Sequence, residues 1–137
     1  MPLTEYRLDP GAREGALQDA LATYARIAIC GGPRVGKTTL AGLVTDRPLI
    51  HTDGCRRLPW EDQPHAIIEA CAPHDRFVVE GVQVARALRK GLQVDVLIWL
   101  VRPMAERTPQ QVALAKGVAT VIESIRAELE IPIVVVP

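Results

Sequence analysis

Eight residues constrain this chain more than any others: Gly31-Gly-Pro-Arg-Val-Gly36-Lys37-Thr38. They follow the apolar run Arg26-Ile-Ala-Ile-Cys30 and precede a stretch with helical burial at Leu40, Ala41, Leu43 and Val44. The spacing fits G-x-x-x-x-G-K-[ST]. Its glycines let the backbone curl so that successive N–H groups face anionic oxygens, and the following helix turns its positive end the same way. Lys37 would reach the β- and γ-phosphates of a nucleotide, and the Thr38 hydroxyl would ligate Mg²⁺. A glycine-rich turn capped by a surface lysine would show the same letters. What sets this loop apart is the strand directly before it and the helix directly after. Gly31, Gly32, Pro33, Arg34, Val35, Gly36, Lys37, Thr38 and Thr39 are therefore the expected nucleotide contacts, with the Arg34 side chain facing solvent.

The rest of the chain alternates regularly. Strands are expected at Arg26–Cys30, Pro48–Thr52, Arg76–Glu80, Val94–Val101 and Ile133–Val136, each an apolar run bounded by Gly, Pro or Asp. Helices are expected between them: Thr38–Thr45, a segment from about Pro59 to Cys71 that starts near Pro64, Val82–Lys90 stopped by Gly91, and a long one from Thr108 to about Glu130. Thr108-Pro-Gln-Gln111 has the spacing of a capping box with proline at N1. Val112, Ala115, Ala119, Ile122, Ile125 and Leu129 make one apolar stripe. The order β-α-β-α-β-α-β-α-β implies an α/β fold of three layers, a five-stranded, mostly parallel sheet with helices on both faces, and with the Gly31–Thr38 loop it resembles the P-loop NTPase fold. All 137 residues read as one domain. Residues 1–25 form an N-terminal extension expected to be helical, with Leu17, Ala20, Leu21 and Tyr24 on one face.

Composition narrows the function classes. Sixteen basic and sixteen acidic residues cancel, which weighs against a nucleic-acid or membrane-surface binder, since such proteins carry a basic excess. Aromatic residues are 4%, too few for a single-strand stacking platform. No apolar run approaches a membrane span, and the first residues lack a signal-peptide pattern. Cys30, Cys55 and Cys71 are odd in number with no C-x-x-C spacing, so free thiols in a reducing, cytoplasmic setting are expected.

In open α/β sheets, ligands sit beyond the carboxyl ends of the strands. Asp53 follows the second expected strand and Glu80 closes the third. Phosphoryl transfer needs one carboxylate at the acceptor hydroxyl and one near the metal. Asp53 suits the first role and Glu80, with Thr38, the second. Asp53 before Gly54 would also serve an Asx turn, and Glu80-Gly81 would also cap the next helix. Trp60 is the one aromatic near the expected acceptor site and would stack on a base or ring; half-buried packing accounts for it as well. Arg86 heads a basic cluster with Arg89 and Lys90 and would hold an acceptor anion; a solvated helix face accounts for the cluster as well. His51, His65 and His74 lack metal-ligand spacing.

Gly-Gly-Pro-Arg-Val-Gly-Lys-Thr-Thr, Ile-His-Thr-Asp53-Gly, Phe-Val-Val-Glu80-Gly and Val-Leu-Ile-Trp99-Leu together resemble small P-loop kinases. The nearest type is the adenylate-kinase-like group known as topology modulation proteins, over residues 26–136. The resemblance implies that Asp53 faces the phosphate acceptor, with Arg56 and Arg57 holding an anionic substrate. It implies a lid after the fourth strand, where Arg102 and Arg107 would close over the transferred group. Lys37, Asp53, Arg102 and Arg107 are then the expected catalytic residues. The third strand is not followed by D-x-x-G, which argues against a regulatory GTPase.

The sequence thus points to an ATP- and Mg²⁺-dependent phosphotransferase with a nucleoside or nucleotide acceptor, GTP standing as an alternative donor. A polynucleotide 5′-hydroxyl kinase and a non-catalytic ATP-binding switch module are the competing readings. A second copy of the chain is one way to close a site with so short a lid.

Overall fold

Apolar runs too short for a helix and rich in Val, Ile and Leu become strands when both of their faces can be covered. The computed structural model describes the backbone of residues 3–5 and the whole of residues 11–137. Its strands are β1 (Leu3–Glu5), β2 (Arg26–Gly31), β3 (Leu49–His51), β4 (Phe77–Glu80), β5 (Val96–Leu100) and β6 (Ile133–Val136). They form one sheet in the order β1-β6-β5-β2-β4-β3, and every pairing is parallel. The expected α/β architecture is present, with two corrections. The sheet is wholly parallel, and it has a sixth strand. β1 pairs with β6, Leu3 opposite Ile133 and Glu5 opposite Val135. Three residues carry too little pattern to read as a strand; the exposed edge of β6 supplies the ladder that makes them one.

The helices are α1 (Ala12–Thr23), α2 (Lys37–Ala41), α3 (Gln63–Cys71), α4 (Val84–Arg89) and α5 (Pro109–Glu128). Side chains alternate along each strand, so the sheet feeds two cores. Ile27 and Ile29 face α1 and α2, in a cluster with Leu17, Ala20, Leu40 and Ala41. Ala28 and Cys30 face α3, α4 and α5, in a cluster with Ile67, Leu88, Ile122 and Ile125. Of the N-terminal extension expected to be helical, α1 is the helical part and buries Ala16, Leu17 and Ala20, residues 3–5 are instead the strand β1, and residues 1–2 and 6–10 lie outside the described residues.

Three expected helices differ in extent or facing. α2 stops at Ala41, short of Thr45. Beyond it the bonds tighten to i→i+3, Leu43 N–H to Leu40 and Val44 N–H to Ala41, as Gly42 and the approach to Pro48 favour. α4 starts at Val84 because Gly81 and Val82 are taken by the turn that leaves β4. On α5 the buried stripe is Val118, Ile122 and Ile125. Val112, expected in that stripe, is 40% exposed, because the first turns of α5 lie beside the loop after β2 and not on the core. The Thr108–Gln111 capping box forms as its spacing predicts, Gln111 N–H to Thr108 Oγ1 at 3.2 Å and Thr108 N–H to Gln111 Oε1 at 2.9 Å.

One buried cation fastens the frame. Arg47 donates to the carbonyls of Tyr24 (2.6 Å), Ala25 (3.0 Å) and Leu21 (3.0 Å), satisfying the carboxyl end of α1, and is held by both oxygens of Asp46.

Candidate functional site

β2 is the point where chain order reverses across the sheet: β3 and β4 lie on one side, β5 and β6 on the other. The crevice outside the carboxyl ends of the strands at such a point is where α/β sheets take ligands. The loop of residues 31–36 leaves β2 there.

The loop is held open through its carbonyls. Four successive carbonyls each accept a hydrogen bond. Lys37 Nζ donates to Gly32 (2.7 Å), Arg107 Nε to Pro33 (2.7 Å), the Met104 N–H to Arg34 (2.7 Å), and Arg13 Nη1 to Val35. Among the described residues, no acceptor in the protein is bonded to the N–H groups of Val35, Gly36, Lys37, Thr38 or Thr39. Carbonyls tied down on one side leave consecutive donors for an anion on the other. Gly36 has φ 87, a left-handed conformation that lets the chain turn from loop into α2. Arg34 also has positive φ, 63, and its side chain is exposed.

These residues form one wall of a cavity of about 510 Å³. Pro33, Arg34, Gly36, Lys37, Thr38 and Thr39 line it from the loop. The facing wall comes from the 3-10 turn Thr52–Cys55 after β3 and the residue that follows it, with Thr52, Asp53 and Arg56 in the lining. Gly31 and Val35 are buried beneath the loop, and Gly32 sits against Ala115 of α5.

Behind the loop lies a buried carboxylate. Glu80 is 2% exposed. Its Oε1 lies 2.7 Å from His51 Nδ1 and 3.4 Å from Thr38 Oγ1. β3 and β4 pair His51 opposite Glu80, so the contact follows from sheet register. The next residue, Gly81, has φ 145, and a Cβ there would collide with the Thr52 side chain. The carboxyl ends of β3 and β4 are thus packed backbone against side chain.

Charge in the cleft is set by burial. Loss of water pushes the Lys37 ammonium down from its ordinary value, while negative charge at Glu80 and Asp53 works the other way. Cys30, fully buried under the loop, has its thiol pushed up to about 11 by the same loss of water. It packs and does not react.

The residues suit a nucleotide-bound Mg²⁺. Among the described residues, no three His, Cys, Asp or Glu side chains form a cation cage. Thr38 and Glu80 offer a hydroxyl and a buried carboxylate to one side. A Mg²⁺ there would take its other ligands from phosphates and water, the usual manner for this ion.

The remaining expected residues are not in the cleft. Arg57 is exposed and outside its walls. Arg107 does not line the cavity: its Nε donates to the Pro33 carbonyl, although its charge reaches Lys37, and the Arg102 carbonyl accepts from Arg13 Nη2 at 2.8 Å. Trp60 and Arg86 stack on each other, Arg86 Cζ 3.8 Å from the ring centroid, beside a second, smaller chamber. Conversely, Thr52, Gln83, Gln111 and Leu114 line the cleft, and Arg13 braces its loop, although none carries a ligand-binding motif. Only Gln111 has a local signal, its capping box. Comparison with protein-family models, with curated proteins and with solved structures gives no match to this chain.

Proposed function

We propose that the protein is an ATP- and Mg²⁺-dependent phosphotransferase acting on a small hydroxyl- or phosphate-bearing acceptor, a nucleoside or nucleotide in the first instance. The observation that carries this reading is the shared cavity, with the phosphate-type loop on one wall and Asp53 with Arg56 on the other. Unbonded N–H groups from Val35 to Thr39 would receive the donor's phosphates. Lys37 would leave the Gly32 carbonyl to neutralise charge developing on the transferred group. Mg²⁺ would supply charge neutralisation between Thr38, Glu80 and the phosphates. The acceptor oxygen forms a bond to the γ-phosphorus as the bond to the β–γ bridging oxygen breaks. That oxygen leaves with the electron pair on ADP, and the proton of a hydroxyl acceptor passes to the Asp53 carboxylate.

The test is label transfer from γ-labelled ATP, with Mg²⁺, to a panel of nucleosides, nucleotides, small metabolites and 5′-hydroxyl oligonucleotides. Transfer to one acceptor class is expected, lost in Lys37→Ala. Asp53→Asn is expected to abolish transfer and keep ATP affinity. Tight ATP binding with no transfer to any acceptor would favour instead a non-catalytic binding module, a reading supported by Arg102 and Arg107 both lying outside the cavity. Label on the oligonucleotides alone would favour the polynucleotide kinase.

A further inference from the structure

A second chamber of about 220 Å³ opens next to the cleft, between α4 and α5. Val82, Gln83 and Leu114 line both, so the two spaces share a wall. Whole small-molecule sites run from roughly 300 to 1,000 Å³. The chamber is therefore the right size for one group of a ligand and too small for a complete substrate.

Its lining is unlike the cleft's. Val82, Ala85, Leu114, Val118 and Val121 make it apolar. Trp60, 53% exposed, stands at its mouth with Arg86 across one ring face. Arg86 Nη1 donates to Gln83 Oε1 at 3.0 Å and Nη2 to the Trp60 carbonyl at 3.1 Å, which fixes the guanidinium at the rim. Arg89 lies beside it, and among the described residues no carboxylate forms an ion pair with either arginine. Glu61 acts on Arg86 only from beyond pairing distance. Two guanidinium groups without a paired carboxylate, next to an apolar hollow, match a flat ring that carries an anion.

Gly117 is the second observation. It lies in the middle of α5, where glycine weakens a helix, and it lines the chamber. A Cβ built on it meets no atom within 4 Å. Helix packing does not ask for glycine at this position. The missing side chain leaves the chamber open.

We propose that this chamber is the acceptor subsite and that it selects an acceptor with a flat apolar ring bearing an anionic group. The ring lies against Val118, Val121 and the Gly117 backbone, and the anion meets Arg86 and Arg89. The inference rests on the phosphotransfer reading for the role of the occupant, not for its chemistry.

The test separates the two. Full-length, ¹⁵N-labelled protein is titrated with phenyl phosphate, methyl phosphate and phenol, which carry ring and anion, anion alone and ring alone. A fragment of this size binds a real subsite with a Kd on the order of millimolar. Phenyl phosphate is expected to shift the Gly117 and Val121 amides and the Trp60 indole N–H. The other two probes should do so at least about tenfold more weakly, because each satisfies half of the site. Gly117→Leu fills the chamber from the helix side and is expected to abolish these shifts. The unchanged amide pattern of β2 and β4 shows that the variant is folded. Shifts confined to the residue 31–39 loop, equal binding of methyl phosphate, or no effect of Gly117→Leu would overturn the proposal. A parallel titration with Mg²⁺ and AMP-PNP, in wild type and Lys37→Ala, judges the phosphotransfer reading independently: failure of AMP-PNP to shift the loop amides sinks that reading and leaves the chamber result standing on its own.

Discussion

Arg13 in the first turn of α1 donates to the carbonyl of Val35, in the middle of the loop that follows β2. Its other nitrogen reaches the carbonyl of Arg102, so one guanidinium ties α1, the loop and the segment after β5 together. α1 is therefore structural support for the cleft.

Arg13→Ala is expected to weaken nucleotide binding with little change in the chemical step. A hydrogen bond from a charged donor contributes about 1.5–3 kcal/mol, and half-exposure of Arg13 puts the loss at the lower end, about tenfold in AMP-PNP affinity. Lysine reaches one carbonyl and not two, so Arg13→Lys should recover part of it. Isothermal titration of both variants decides the matter. Wild-type affinity in Arg13→Ala would mean the loop holds its shape unaided.

Gly81→Ala is expected to destabilise the fold by about 2–4 kcal/mol, through positive φ and overpacking together. The positive φ is 145, and the collision is with Thr52, a cleft residue. Shortening Thr52 as well should relieve only the steric part. Urea midpoints of the single and double variants measure the split. A double variant as stable as wild type would show that the backbone angle costs nothing here.

Arg47→Ala is expected to cost about 2–3 kcal/mol, because it removes a buried, charged donor from three part-buried carbonyls at once. Arg47→Lys should recover less than half, since an ammonium lacks the fork. Denaturant unfolding with an unchanged m-value would report the loss as stability alone. A change under about 1 kcal/mol would show that water replaces the guanidinium.

Stability should fall as the solution becomes alkaline. Burial raises the Cys30 thiol from an ordinary 9.0 to about 11, and Cys71 likewise to about 11. Between those values the unfolded thiols lose their protons while the folded ones keep them. The unfolded state then binds fewer protons, so stability is full below pH 9 and is lost as pH climbs through 11. Cys30 alone is worth on the order of 2 kcal/mol on this count. Lys37 acts the other way, because its folded value lies below the ordinary one. The Cys55 thiol, raised by burial as well, adds to the fall. Urea midpoints at about pH 8 and about pH 10.5 give the slope, and Cys30→Ala should make it shallower. An equal slope in the variant would remove Cys30 as the cause.

Local features could be read from the chain because they rest on neighbours in sequence. The apolar runs ending at Cys30, Glu80 and Leu100 announce strands, and Thr108 with Gln111 closes its own helix start. The loop from Gly31 to Thr38 is legible for the same reason: its turn, donors and lysine all lie within eight residues. Tertiary structure decided the rest. Sheet order sets His51 against Glu80, and a long-range contact sets Gly81 against Thr52. The placement of α1 brings Arg13 to Val35 across 22 residues of chain, and β1 becomes a strand only beside β6. The helical period of α5 was visible, but not which stretch would meet the core and which would line the cleft and its neighbouring chamber. Val112 and Leu114 are apolar and exposed while Val118 is buried. Periodicity records which residues share a face of a helix; the packing of that helix against the sheet determines what the face meets.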